Sequence, residues 1–402
     1  MNILHISYSD KVGGSARSAY RIHKGLIKLG IKSFMLVGYK LRSDDSVEFI
    51  SGSKFFQTIN RVLGKIGDIS GFQFITYFIS FRIFFTKEYK ESDAIQLYNL
   101  HGKYFSLLIL FFMKNKKVYL RLSDMWSFTG NCAYAYDCEK WLYGCGKCHN
   151  IHQEIDMYYD TTGLMWRIKK FLFSRLDLTV VAPSKWMLRE AQRSPIFKNA
   201  KFDYIPNGID IKTFKKKDKD SARVELNINS SKKIVMFSAD SLKNKRKGSL
   251  YLLEALEKLD NKNKILILLV GHGEIYIDGF EVINLGEIKD DIRMTNSYAA
   301  ADVFVLPTLA DNLPNSIIES MSCGTPVVSF NIGGVPDILK HRKTGWLAEY
   351  KNSNSLARGI EYILFDKSCD SLSNNCRKIV ESEYSQEIEL KKFKDLYIKG
   401  LR

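Results

Sequence analysis

The stretch Asp311-Asn312-Leu313-Pro314-Asn315-Ser316-Ile317-Ile318-Glu319-Ser320-Met321-Ser322-Cys323-Gly324-Thr325-Pro326-Val327-Val328 decides how this chain is read. The apolar run before it, Val303-Phe304-Val305-Leu306, ends at Pro307 and reads as a strand buried on both faces. A loop follows with two carboxylates eight positions apart, the second on a short helix. Gly324-Thr325-Pro326 stops that helix, and Val327-Val328-Ser329 opens the next strand. This order brings a helix N-terminus and two acids to the carboxyl edge of a parallel sheet. Open α/β sheets bind nucleotides there, and a helix N-terminus suits a diphosphate.

Outward from this block, short apolar runs alternate with helical patterns. Strands are predicted at Ile3–Ile6, Ser33–Val37, Ala94–Tyr98, Lys117–Leu122, Leu178–Ala182 and Phe202–Ile205. A second set is predicted at Ile234–Phe237, Ile265–Val270, Val282–Leu285, Val303–Leu306, Val327–Ser329 and Trp346–Ala348. Helices read at Ser15–Leu29, Leu250–Leu259 and Asp291–Ala300, among others. The alternation implies an α/β fold of two doubly wound, parallel-sheet domains with a cleft between them. The chain's 402 residues, 45% of them hydrophobic, suffice for two domains of about 200 residues. The turn chemistry of Ile205-Pro206-Asn207-Gly208-Ile209-Asp210 marks the boundary. The expected order is an N-terminal domain over 1–207 with a Cys-rich loop at 124–150, a linker at 208–232, a second domain at 233–385, and a C-terminal helix at 386–402 that packs back on the first domain.

The net charge of +16 is unevenly spread. Residues 1–207 hold 30 Lys+Arg against 17 Asp+Glu, and residues 208–402 hold 30 against 27. A basic first half suits an anionic membrane surface or an anionic substrate, or is a solvated Lys-rich surface. No DNA- or RNA-binding motif is present, so a nucleic-acid partner is not expected. The longest apolar stretches fall short of the roughly 20 residues that a membrane span needs; in the nearest, 72–85, Gln73, Ser80 and Arg82 interrupt the run. The N-terminus opens on the strand-like Asn2–Ser7 with no signal-peptide pattern. A cytoplasmic location with the seven Cys reduced is therefore expected.

Two further segments carry phosphate-binding chemistry. Gly13-Gly14 sit between the first strand and its helix, where glycines let backbone amides approach a phosphate. Arg17 and Arg21 follow one turn apart. The strand Ile234–Phe237 runs into a basic loop, Lys243-Asn244-Lys245-Arg246-Lys247, and then Gly248 and a helix.

The 311–328 block, with Arg246-Lys247-Gly248, Pro206-Asn207-Gly208-Ile209-Asp210 and Gly13-Gly14, resembles the retaining nucleotide-sugar glycosyltransferases of family 4. The motifs stand in matching order along nearly the whole chain. The resemblance implies the GT-B fold, two Rossmann-like domains facing across a cleft. It implies transfer of a sugar from a UDP- or GDP-sugar to a glycan or lipid-linked glycan, with retention of configuration. By it, Glu319 would bind the donor ribose and Asp311 the transferred sugar, where the family usually has the longer Glu. Asn312 and Leu313 would offer loop amides, and the helix start at Asn315-Ser316 would face the phosphates. Arg246 and Lys247 would neutralise the departing diphosphate. A second Arg, frequent after this strand in the family, is absent from Ser238-Ala239-Asp240. No metal or other cofactor would be needed for the chemistry. The implied setting is bacterial surface-polysaccharide assembly, such as capsule or O-antigen, peripheral at the cytoplasmic face of the membrane. A sugar-nucleotide epimerase of the same fold and a non-catalytic nucleotide-sugar or glycan-binding protein are the alternatives.

In the first domain the family commonly places a His at the cleft. This chain has Ser123 at one such position, which leaves His101 and Asp124 as candidates for donor or acceptor contact; each would equally serve as a helix cap. Cys132, Cys138, Cys145 and Cys148 fall within 17 residues and suggest a structural zinc site, with disulfides and free thiols as alternatives. The aromatics of the same loop, Trp126, Phe128, Tyr134, Tyr136, Trp141 and Tyr143, would stack on sugars or form the loop's own core. Finally, 55–85 alternates apolar and basic residues, which fits helices lying on a bilayer or two buried helices.

Overall fold

The computed structural model describes residues 1–149, 151, 158–366 and 369–401. The last residue of the expected Cys-rich loop, 150, and the final residue, 402, lie outside them. Two compact units emerge: residues 1–206 with 389–402, and residues 207–388.

The first unit is built on seven parallel strands: β1 (Asn2–Ser9), β2 (Lys32–Tyr39), β3 (Val47–Phe49), β4 (Ala94–Leu97), β5 (Lys117–Arg121), β6 (Asp177–Ala182) and β7 (Lys201–Tyr204), in the order β3-β2-β1-β4-β5-β6-β7. Successive residues point to opposite faces. Leu4, Leu36, Ile95 and Val118 join one apolar core, while Ile3, Met35, Ala94 and Tyr119 join the other. The second core is closed by helix Gly13–Lys28, through Ala19, Ile22 and Leu26, and by the last helix, Gln386–Gly400, through Leu390, Phe393, Leu396 and Tyr397. Two polar ties fix that last helix. Arg121 donates to Glu389 at 2.9 Å with both side chains almost wholly buried, and the Tyr397 hydroxyl donates to Gln96 Oε1 at 2.8 Å.

The second unit holds β8 (Lys233–Ser241), β9 (Ile265–His272), β10 (Glu281–Asn284), β11 (Val303–Leu306), β12 (Val327–Phe330) and β13 (Gly345–Ala348), all parallel, in the order β10-β9-β8-β11-β12-β13. Ile234 and Met236 face one core, Val235 and Phe237 the other.

Twelve of these strands lie where the apolar runs predict them; β3 does not. It is three residues long at the sheet edge, too short to show a period of two. Residues 208–232, expected as a linker, are instead part of the second unit. Phe214, Ala222 and Leu226 enter its core, and Arg223 of helix Lys219–Glu225 pairs with the buried Asp302 at 3.0 Å. The Lys-rich composition hides this because the apolar residues are spaced for a short helix among many charges.

In both sheets the strand order reverses beside the first strand of the unit, between β1 and β4 and between β8 and β11. The loops leaving these pairs line the switch point, the usual ligand crevice of an open α/β sheet. Gly13, Gly14 and His101 sit on such loops in the first unit, and Arg246, Lys247 and Asp311 in the second; Asp124 follows the neighbouring strand β5.

Candidate functional site

In the second unit the loop after β8 folds into a single turn, Lys245–Lys247, capped by Asn244, whose side chain accepts from the Arg246 amide at 3.1 Å. Gly248 ends the turn with φ +77°. A Cβ there would lie 1.8 Å from the Pro307 carbonyl, so only glycine lets the basic loop sit against the end of β11. The contact is sealed by the Leu309 amide and the Thr308 hydroxyl, which donate to the Arg246 carbonyl at 2.8 and 3.1 Å.

This packing delivers two cations to one carboxylate. Arg246 meets Asp311 Oδ1 at 3.0 Å, and Lys247 Nζ meets Oδ2 at 2.7 Å. The Thr308 hydroxyl, which has one proton to share between the Arg246 carbonyl and this carboxylate, lies 2.9 Å from Oδ2, and the same Arg246 nitrogen, Nη1, also donates to the Ala310 carbonyl at 2.8 Å. Burial pushes the Asp311 carboxyl up, but Lys247 and then Arg246 outweigh it and hold it below its ordinary range. Gly333, at φ +56°, supports the loop from below; a Cβ would come 2.1 Å from the Asp311 carbonyl.

The rest of the block follows in order. Asn312 and Leu313 are buried, and the Leu313 side chain belongs to the core, so only the backbone of Leu313 can meet a ligand. Helix Asn315–Ser322 begins after Pro314 with no side chain capping it. Asn315 and Ser316 are half-buried, and Asn207 donates to Asn315 Oδ1 at 2.8 Å. Glu319 accepts from the Tyr298 hydroxyl at 3.1 Å. Thr308 and Tyr298 were not singled out from sequence. Thr308 directly follows Pro307 at the strand end, which is a usable signal; Tyr298 reads only as core on an apolar helix face.

The first unit gathers a different set at its switch point. Gly13 and Gly14 open helix Gly13–Lys28 and are exposed; Gly13 has φ +84° with open space around it. Ser15 and Ser123 share a hydrogen bond of 2.7 Å, which ties the glycine turn to the loop after β5. His101 Nε2 lies 2.8 Å from Asp124 Oδ2, and Asp124 Oδ1 accepts from the Trp126 amide at 2.9 Å. Asp124 thus holds both the imidazole and the Trp126 amide. Burial raises its carboxyl, while His101 and the Trp126 amide more than offset this and lower it. An ionised Asp124 only accepts, so Nε2 carries the proton and a neutral His101 keeps Nδ1 as an acceptor.

The Cys-rich loop is held by apolar packing and by one buried lysine. Among the described residues no group of three or more His, Cys, Asp or Glu is arranged to hold a metal ion, and the four thiols are unbridged. Cys132 and Cys145 pack against the apolar core as small hydrophobic side chains. Burial pushes their thiols up, to about 11 and about 12. What organises the loop is Lys169, which sequence reasoning missed. Fully buried on helix Thr162–Phe173, it donates to the Trp126 and Thr129 carbonyls and to Asn131 Oδ1, at 2.7 to 3.1 Å. Its ammonium lies 3.6 Å from the Trp126 ring centre, and burial lowers it to about 7. Trp126, Phe128 and Trp141 are buried as the loop's own core, whereas Tyr136 and Tyr143 are exposed.

Residues 232–366 match the family model described as glycosyl transferases group 1. The chain carries a group 1 glycosyltransferase domain and has the GT-B fold. Arg246, Lys247, Asp311 and Glu319 all fall within that domain. Among curated relatives, the chain is 28% identical over 212 residues to UDP-Gal:alpha-D-GlcNAc-diphosphoundecaprenol alpha-1,3-galactosyltransferase of Escherichia coli, a match covering 49% of this chain and 54% of that enzyme. The chain therefore spans about half the length of such relatives. A longer match, 24% identical over 85% of both chains, is to the putative colanic acid biosynthesis glycosyl transferase WcaC of Escherichia coli. Sucrose-phosphate synthase of Thermosynechococcus elongatus superimposes with a TM-score of 0.72 over 99% of both chains at 18% identity, a likeness of fold.

Proposed function

We propose that this chain is a retaining glycosyltransferase of family 4 type that moves a sugar from a UDP- or GDP-sugar to a glycan acceptor, lipid-linked in surface-polysaccharide assembly. The observation that carries the reading is the cation pair, Arg246 and Lys247, fixed on Asp311 beside the uncapped start of helix Asn315–Ser322. Such a cluster suits a leaving diphosphate, because fixed cations and helix amides stabilise charge as it develops. An incoming diphosphate competes with Asp311 for both cations, and the released carboxylate then accepts from hydroxyls of the sugar. Glu319, held by Tyr298, binds the ribose hydroxyls. The loop backbone at Asn312 and Leu313 and the helix start at Asn315 and Ser316 offer amides to the donor.

In the reaction the bond from the anomeric carbon to the diphosphate oxygen breaks. The acceptor hydroxyl oxygen bonds to that carbon on the same face, and its proton passes to the leaving phosphate. The products are the lengthened glycan and a nucleoside diphosphate. No metal enters this balance. His101, oriented by Asp124, hydrogen-bonds a substrate hydroxyl in the first unit. The galactosyltransferase relative's name specifies a UDP donor and a diphosphoundecaprenol acceptor, which favours UDP and a polyprenyl-linked acceptor here. Work on such an acceptor places the protein peripherally at the cytoplasmic membrane face.

Calorimetry with UDP-sugars and GDP-sugars, followed by release of nucleoside diphosphate in the presence of lipid-linked glycan, tests the reading. Glu319→Ala is expected to weaken donor binding by roughly hundredfold while the protein stays folded. Unchanged donor affinity in a folded variant rejects the site. Donor conversion to an epimer without acceptor selects the epimerase, and donor binding without turnover selects a binding protein.

A further inference from the structure

Helix Lys54–Ser70 is packed inside out. An amphipathic helix normally turns its apolar stripe to the core. Here the inward positions are Asn60, Gly64 and Gly67, at i, i+4 and i+7. The glycines are there for close approach: a Cβ at Gly64 would come 2.5 Å from the Tyr77 ring, and one at Gly67 would come 2.4 Å from the Thr76 hydroxyl. The outward stripe is Phe55, Val62, Ile66 and Ile69, at i, i+7, i+11 and i+14, and these side chains are 70%, 56%, 55% and 59% exposed. The apolar face does not stop with the helix. Exposed Phe72, Phe78 and Phe85 follow in sequence. Phe78 leads through Phe81 to Phe112, Phe111 and Phe171 by ring contacts of 5.3 to 6.5 Å, and the last three are themselves exposed.

A soluble protein does not expose this many large apolar side chains together without a partner. The charge around them identifies it. Residues 54–87 hold five Lys or Arg and one acid, Asp68, whose carboxylate is already engaged by Lys103 at 2.6 Å. Arg61 and Lys65 border the stripe on the helix, and the Arg175 guanidinium lies 3.5 Å over the Phe171 ring. An apolar stripe edged by cations complements an anionic bilayer, whose surface attracts Lys and Arg and whose interface takes Phe, Val and Ile. A second copy of the chain would bring the same cations face to face and be repelled.

We infer that this face, centred on helix Lys54–Ser70, lies in the interface of an anionic membrane and holds the protein there. Among the described residues no helix is long and apolar enough to cross a bilayer. The inference deepens the membrane part of the proposed function, but its test needs neither donor nor acceptor, so either can fail alone.

The test is flotation of the full chain with vesicles of phosphatidylethanolamine and phosphatidylglycerol, and with vesicles of phosphatidylcholine alone. The protein is expected to float with the anionic vesicles, and high salt should weaken this by several-fold. The variant Val62→Ser/Ile66→Ser/Ile69→Ser alters only exposed positions. It should float about tenfold less or worse, with unchanged circular dichroism and donor affinity. Equal flotation of variant and wild type would overturn the inference. So would an absence of vesicle binding, or a concentration-dependent dimer that the same variant abolishes, which would make the face a contact between copies.

Discussion

The two switch points are built alike and charged differently. In the second unit Asp311 is held by Arg246 and Lys247; in the first, Asp124 is held by one imidazole, His101. A carboxylate clamped by two permanent cations leaves a cluster that trades partners with an incoming dianion. A carboxylate paired with a histidine orients a ring that both donates and accepts. The first suits a leaving diphosphate and the second a hydroxyl, the division of roles on which the proposed function rests.

Breaking each pair tests the assignment. Asp311→Asn should cost about 10²–10³ in turnover with a nucleotide sugar, by analogy with removal of one preorganised electrostatic partner. Asp124→Asn should cost less, about tenfold, and leave donor affinity at its wild-type value, because it loosens His101 and touches no phosphate. Equal effects of the two on donor affinity, measured by calorimetry, would erase the distinction.

The contrast extends into the interior. The first unit buries neutral histidines beneath its sheet. Burial, and then the neighbouring His23, drive His5 well below its usual value, and burial lowers His23 to about 4 against partial support from Asp44. A depressed histidine contributes stability that is complete above the unfolded value near 6.5 and is lost as pH falls toward 4. His23 alone should withdraw up to about 3 kcal/mol over that window. Urea titrations between neutral pH and pH about 4.5, read by hydrogen exchange, should show the first unit loosening before the second. Simultaneous loss would contradict this origin of acid sensitivity. The smallest effect should come from Tyr298→Phe, which removes one hydrogen bond to Glu319. Donor affinity should fall by under tenfold.

Much of this architecture is legible in the sequence because it is carried by local signals. Val303–Leu306 is a strand because four apolar residues end at a proline, and β11 has those bounds. The acid pair is legible from its strand–loop–helix setting. What could not be read are relations between distant residues. Lys247 and Asp311 meet across 64 positions, and only Gly248 lying under Pro307 shows that the basic loop reaches the acid. Lys169 reads as one more surface lysine until its helix places it in line with Met165, Trp166, Leu172 and Phe173 in the core. The four cysteines suggest a metal by spacing, yet Cys132 and Cys145 are drawn into apolar packing. Helix Lys54–Ser70 shows two faces in its sequence, and only the glycine contacts with Thr76 and Tyr77 decide which one turns inward.

The central claim is that Arg246 and Lys247 form the diphosphate-binding cluster. Calorimetric titration of UDP and GDP into the full chain and into Lys247→Ala, whose fold is checked by circular dichroism, tests it most directly. One nucleotide should bind per chain, and the variant should bind it about hundredfold more weakly. Equal affinity in the two proteins, or no binding of either nucleotide to the wild type, would contradict the account.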